Sequence, residues 1–322
     1  MDLRPDGVIF YASRQHYARH LQPVADVFGL PVLRRIPKGP PPSHVVIAGA
    51  SDLDKLRRTS KVALVEHGAG QTYLGLDHRS WAGGGHRDKV SLFLCPRQEI
   101  CDLNLARYPD AQAVAVGCPA LDRHVDRAAP TSPLVVFTFH AEYAVAQQIP
   151  ELRSAFEHYR SAIPETVEAL RAEGVEVVGH WHPRSPGTRN FWRSIGVDQC
   201  EDWDPLLGRL TVLVADNTSA GWEANAVGAP AVWLNIPDYR REVDHGLRFW
   251  SKMVGIQVDR PEELSHVVRD TVRSSGSLRQ GALLNGAAVY RPLGGASERA
   301  AAAIRLWVGQ GKSDGSSAGV GS

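Results

Sequence analysis

Short apolar runs rich in Val, Ile and Leu alternate along this chain with longer amphipathic stretches. Gly7–Ala12 predicts a first strand and Gln15–Phe28 the helix after it. Pro31–Arg35 predicts a second short strand, and His44–Gly49 a third that leads into a short helix over Leu53–Arg58. Val62–Val65, Leu92–Cys95 and Val114–Val116 predict further strands, with a helix over Gln98–Arg107. Arg127–Pro133 is polar, carries two prolines and reads as a linker. A second series follows: a strand at Leu134–Phe139, helix through most of Ile149–Glu173, and a strand at Val175–Val178. A short helix near Phe191 comes next, then the Leu210–Asn235 stretch, a helix over Pro261–Val272 and a last helix over Ser297–Val308. Runs apolar throughout suit strands covered on both faces, and strict strand–helix alternation predicts parallel sheets.

Length sharpens this to two domains, since 322 residues exceed what one core usually holds. The boundaries read as 1–128 for a Rossmann-like domain, 129–308 for a second, and 309–322 for a disordered tail rich in Gly and Ser. A net charge of +1 gives no general attraction to nucleic acid. No apolar run reaches membrane-spanning length, and the N-terminus does not read as a signal peptide. The expected location is the cytoplasm, with peripheral membrane association left open. Cys95, Cys101, Cys118 and Cys200 show no zinc-ligand spacing and read as free thiols.

Candidate chemistry centres on Leu210–Asn235. It reads as strand, turn, helix, strand, with Asp216-Asn217-Thr218-Ser219 at the turn and Gly228 past the helix end. A helix start just beyond a strand is a natural phosphate site. Glu223 lies one helical turn after Ser219. Taken alone, the stretch fits equally well an ordinary βαβ unit whose Thr and Ser only cap a helix. Two further loops change the balance, because each also follows a strand: His67-Gly68, and His182-Pro183-Arg184. Ligands of parallel sheets sit at the carboxyl ends of strands, so the three loops are expected to line one cleft.

This set resembles the CDP-glycerol glycerophosphotransferase family of teichoic acid synthesis. His67-Gly68 with Gly75 matches its first loop, with Thr72 where the family has Lys. Thr138-Phe139-His140 resembles the end of the strand that opens its second domain, with His140 in place of Arg. His182-Pro183 matches, and Asp216-Asn217-Thr218-Ser219 resembles its Asp-Tyr-Ser-Ser motif with Asn for Tyr. Gly295-Ala296-Ser297-Glu298-Arg299 resembles the start of its last helix. UDP-N-acetylglucosamine 2-epimerase is a wider relative with similar landmarks.

The resemblance implies a GT-B α/β fold, two Rossmann-like domains whose parallel sheets face across a cleft, with the last helix crossing back to the first. It implies a transferase using a nucleotide-diphosphate-activated donor, CDP-glycerol or another CDP-alditol. The acceptor is a hydroxyl on a polyol, a glycan or another compound. A GT-B glycosyltransferase, a UDP-sugar 2-epimerase-like enzyme and a catalytically degenerate nucleotide-sugar binder are the alternatives. The implied roles are His67 and Asp216 in catalysis and His182, Arg184, Thr218 and Ser219 on the diphosphate. Glu223 is implied on the ribose, with Gly68 and Gly221 as loop glycines. No cofactor or metal is implied.

Overall fold

A computed structural model describes residues 7–56, 60–69, 87–140, 153–182, 185–242 and 256–313. The chain forms two compact units. One runs to Asp122 and resumes at Tyr290; the other spans Arg123–Val289.

In the first unit the elements run β1 (Val8–Tyr11), α1 (Gln15–Val27), β2 (Val32–Leu33), β3 (His44–Ile47), a 3-10 turn at Ala50–Lys55, and β4 (Lys61–Val65). After the undescribed residues 70–86 come β5 (Val90–Cys95), α2 (Gln98–Arg107) and β6 (Gln112–Ala115). Among the described residues they form a six-stranded sheet in the order β2-β1-β3-β4-β5-β6, parallel at every pairing. Alternation sorts each strand between two cores. Val8, Phe10, Val46, Ala63, Val65, Leu92 and Leu94 pack on one face, against Leu21 and Val24 of α1. Ile9, Tyr11, Val45, Ile47, Leu64 and Phe93 pack on the other, against Ile100 and Cys101 of α2.

In the second unit the chain runs β7 (Leu134–Thr138), α3 (Phe156–Tyr159), α4 (Ile163–Ala172), β8 (Glu176–His180), α5 (Pro186–Ser194), β9 (Asp198–Cys200), α6 (Trp203–Arg209) and β10 (Val212–Ala215). It continues through α7 (Ser219–Ala226), β11 (Ala231–Leu234), β12 (Gln257–Val258), α8 (Leu264–Arg273) and α9 (Ser275–Val289). The sheet order is β12-β11-β10-β7-β8-β9, again parallel throughout. The chain winds outward from β7 to β9, crosses back, and winds outward again from β10. The reversal between β7 and β10 is the place where parallel α/β sheets hold ligands. In the first unit the corresponding reversal lies between β1 and β3.

Helix α7 is held at both ends. The Thr218 hydroxyl accepts from the Ala220 N–H at its start. At its end Gly228 takes φ +78°, its N–H bonds Asn225, and the Ala229 N–H bonds Ala224. This is a Schellman closure, which a residue with a side chain adopts only under strain. Arg127 then donates to the carbonyls of Val227 (3.0 Å) and Leu210 (2.6 Å).

Three boundaries differ from the sequence reading. The 127–133 segment is no free linker, because Arg127 is bound into the second unit by those carbonyls. The last helix, α10 (Ala296–Ser313), returns to the first unit as expected, so the second unit ends at Val289 rather than at 308; Ala300, Ala301, Ile304 and Trp307 join the first unit's core. Asp122 caps it, accepting from the N–H groups of Ala296 (2.9 Å) and Ser297 (2.7 Å). Arg299 ties its first turns to the carbonyls of Val116, Pro292 and Gly294. The helix also continues past Gly309 to Ser313, into the segment whose composition suggested disorder; the rest of that tail lies outside the described residues.

Candidate functional site

The carboxyl end of the first sheet carries His67, immediately after β4. Gly68 follows with φ +73°, a turn that lets the chain leave the strand sharply. The Glu66 N–H bonds the Leu94 carbonyl of β5, and Arg97 holds the Ala69 carbonyl at 2.7 Å. Glu66 itself is buried and paired with buried Arg87 at 2.5 Å. The loop that presents His67 is therefore fixed on both sides.

His67 is open to solvent at its surface, although much of the protein surrounds it. The first property decides what reaches the ring; the second decides its charge. Desolvation lowers its pKa below the ordinary imidazole value, against the opposing pull of the Glu66 charge, while Arg87 lowers it further. A backbone bond to Ala48 favours the protonated form. In the neutral ring, donation to that carbonyl leaves the second nitrogen unprotonated and able to accept a proton. Around the ring stand three side chains of α1: His16 (centroids 6.4 Å apart), Tyr17 (5.0 Å) and His20 (6.1 Å). Only their helical spacing marked them in the sequence, and that signal is common to any helix face.

The carboxyl end of the second sheet gathers His140 after β7, His182 after β8, and Asp216, Thr218 and Ser219 after β10. The His140 and His182 rings lie 5.9 Å apart. Asp216 is fully buried and accepts three bonds: from the His140 N–H (2.8 Å), the Ser154 hydroxyl (2.8 Å) and the Ala155 N–H (2.9 Å). A carboxylate so engaged braces the β7 and β10 loops. Thr218 caps α7 and Ser219 begins it, both half-buried.

Two sequence expectations change here. Glu223 does not turn to solvent beside Ser219: it is 2% exposed and accepts from the Trp203 indole at 2.8 Å. Trp203 in turn lies against His180, whose ring bonds Thr138. Gly221 is not a loop glycine. It lies within α7, and a Cβ there would come 2.1 Å from the Trp233 ring, so its role is close helix–strand packing. Thr72, Gly75, Pro183 and Arg184 lie outside the described residues. Among the described residues no group of three or more His, Cys, Asp and Glu side chains is arranged to hold a metal ion. No helix among them is long and apolar enough to cross a membrane.

In fold, the chain is similar to the wall teichoic acid polymerase TagF. The TM-score is 0.63 at 9% identity, over 96% of this chain and 90% of that one. It is also similar to S. aureus MnaA in a co-structure with UDP (TM-score 0.60, 12% identity, 94% and 96% covered). A putative UDP-N-acetylglucosamine 2-epimerase from Listeria monocytogenes gives a TM-score of 0.58 at 16% identity, with 94% and 96% covered. No family model matches the sequence. No curated protein matches it either. The two parallel six-stranded sheets with their helices are thus the α/β architecture of GT-B proteins.

Proposed function

We propose that the protein is a transferase acting on a nucleotide-diphosphate-activated donor, a CDP-alditol in the first instance. The observation that carries the reading is the β7/β10 reversal, bordered by His140, His182 and the Thr218-capped start of α7. Imidazoles and a helix start suit a diphosphate. The similar TagF has been studied in a form soaked with CDPG, and MnaA in a co-structure with UDP, which supports a nucleotide ligand.

On this reading the acceptor hydroxyl attacks the β-phosphorus. An O–P bond forms, the bond to CMP breaks, and the hydroxyl proton passes to the unprotonated nitrogen of His67. His182, Thr218 and Ser219 steady the diphosphate as charge moves to the leaving group, with Arg184 assigned to the same task. Asp216 braces the site rather than reacting. Glu223, already holding Trp203, supplies the acceptor for ribose hydroxyls.

The MnaA co-structure favours a second reading, a UDP-sugar donor attacked at the sugar C1 with UDP leaving. One experiment separates the two: thermal shift against CDP-glycerol, CDP-ribitol, UDP-sugars, GDP-sugars and dTDP-sugars. Stabilisation follows selective binding to the folded chain. A shift with CDP-alditols above all others is the expected result. A shift only with UDP-sugars moves the assignment to the second reading, and no shift with any nucleotide removes both.

A further inference from the structure

Gly49, at the end of β3, has an extended backbone (φ −122°, ψ 124°) open to any residue. Its conformation does not require glycine, but its surroundings do. A Cβ there would lie 2.2 Å from the Tyr17 ring. Tyr17 therefore lies directly on the strand end, is buried, and reaches the Ser51 hydroxyl at 3.1 Å. Its ring meets the His67 ring edge-on, centroids 5.0 Å apart and planes 69° apart. The residue before Gly49, Ala48, carries the carbonyl that bonds His67. One strand end thus supplies both the hydrogen-bond acceptor for the imidazole and the seat for the ring that walls it.

We propose that Tyr17, seated on Gly49, is a positioning residue that holds the His67 imidazole in the orientation and tautomer set by the Ala48 carbonyl. The inference rests on the reading of His67 as the base for its kinetic consequence only. Without the Tyr17 ring, the imidazole can rotate about its side-chain torsions, and its second nitrogen loses its fixed aim. His16 and His20 flank the ring but cannot replace this restraint, because each lies farther from it. The His20 Nδ1 also faces the Cys118 thiol at 3.8 Å.

The test uses the full chain and two readouts. Long-range proton–nitrogen spectra report the tautomer of His67, whose signals are identified by their loss in His67→Gln. Turnover and donor KM are measured with whichever nucleotide donor stabilises the protein. Tyr17→Leu removes the ring, and Gly49→Ala displaces it while keeping Tyr17. Each is expected to turn the single His67 tautomer into a mixture. Each is expected to lower kcat by roughly tenfold to a hundredfold with donor KM nearly unchanged, the scale of a misplaced catalytic group. Tyr17→Phe keeps the ring, loses only the Ser51 bond, and is expected to restore both readouts. If Tyr17→Leu fails to fold, Gly49→Ala decides the matter, since its backbone accepts Ala. An unchanged His67 tautomer in the folded Tyr17→Leu or Gly49→Ala protein overturns the proposal. A changed tautomer together with full turnover in His67→Ala upholds the positioning role and removes the base assignment instead.

Discussion

The two sheets solve the same local problem with the same device. At each reversal of strand order a fully buried aspartate ties one loop to its neighbour. Asp52, after β3, accepts from the Ser13 N–H (3.0 Å) and hydroxyl (2.5 Å) after β1. Asp216, after β10, accepts from His140, Ser154 and Ala155 beyond β7. The units differ in what stands beside the brace. The first places a solvent-accessible imidazole of lowered pKa in a wall of aromatic and imidazole rings. The second places a capped helix and a pair of histidines. The comparison teaches that a carboxylate after a strand, which sequence alone offers as catalytic, is the structural constant here. Under the proposed function the chemistry is assigned to its neighbours, proton transfer to His67 of the first unit and anion binding to the second.

The sharpest way to break this division is His67→Ala. Turnover is expected to fall by roughly 10²–10⁴ while donor affinity holds, as for loss of a general base. His182→Ala is expected to weaken donor binding and turnover together, because a diphosphate contact strengthens as the leaving group gains charge. The reverse pattern, with His67→Ala abolishing donor binding alone, would exchange the roles of the two units.

The bracing role of Asp216 is checked by stability. Asp216→Ala leaves two backbone N–H groups and a hydroxyl without their acceptor beside a fully buried position, so a loss of about 3 kcal/mol is expected in denaturant unfolding. Asp52→Ala is expected to cost less, since the Ser13 N–H and hydroxyl that lose their acceptor are only half-buried. An Asp216→Asn protein with wild-type stability and no turnover would return this residue to the catalytic group.

What the sequence made legible divides along the same physical line. Strands buried on both faces, such as Val62–Val65 and Leu210–Ala215, announce themselves because burial demands an apolar run. The edge strands of the second sheet do not: β9 is Asp-Gln-Cys and β12 is Gln-Val, each paired on one side only among the described residues. Helix α9, which contains Gly276, Gly281 and Gly286, is not among the helices predicted from the sequence. It is helical because α7 receives it closely; a Cβ on Gly286 would lie 2.3 Å from the Ala226 backbone. At the site, motif residues after strands could be found. Tyr17, His16 and His20 could not, since their importance comes from a contact across the fold to His67. Glu223 was visible as an acid near Ser219, but its direction depends on Trp203, which nothing nearby in the sequence indicates.

Glu223→Gln sharpens the second unit's role at smaller scale. The amide oxygen can still accept from the Trp203 indole, so the fold is expected to persist. Removing the charge weakens a ribose hydroxyl contact, and donor KM is expected to rise about tenfold, or ~1.4 kcal/mol, with kcat little changed. A protein that melts early with unaltered KM would show that Glu223 serves only Trp203.

The smallest effect tests the electrostatics of the first unit directly. Desolvation holds the folded His67 pKa below its value in the unfolded chain, which is near 6.5. Between those two values the unfolded chain binds the proton and the folded chain does not. Stability therefore rises with pH across that window. Above it the ring is neutral in both states, and the contribution is constant and complete; as pH falls through the window it is progressively lost. The groups bearing on the ring are His16, Tyr17 and His20 from α1, Asp52 from the β3 loop, and the Glu66–Arg87 pair. Comparing wild type with His67→Gln by urea unfolding from about pH 5 to 8 isolates the one residue, because the other histidines are common to both proteins. The stability difference, wild type minus variant, is expected to fall as pH drops below about 6.5 and to be flat above it. The kcat of the wild type is expected to decline on the same acidic side, since a protonated His67 cannot take the acceptor proton. A stability difference that instead grows toward acid would mean that Glu66 and Asp52 outweigh burial at this ring, and that His67 is held as a cation rather than as a base.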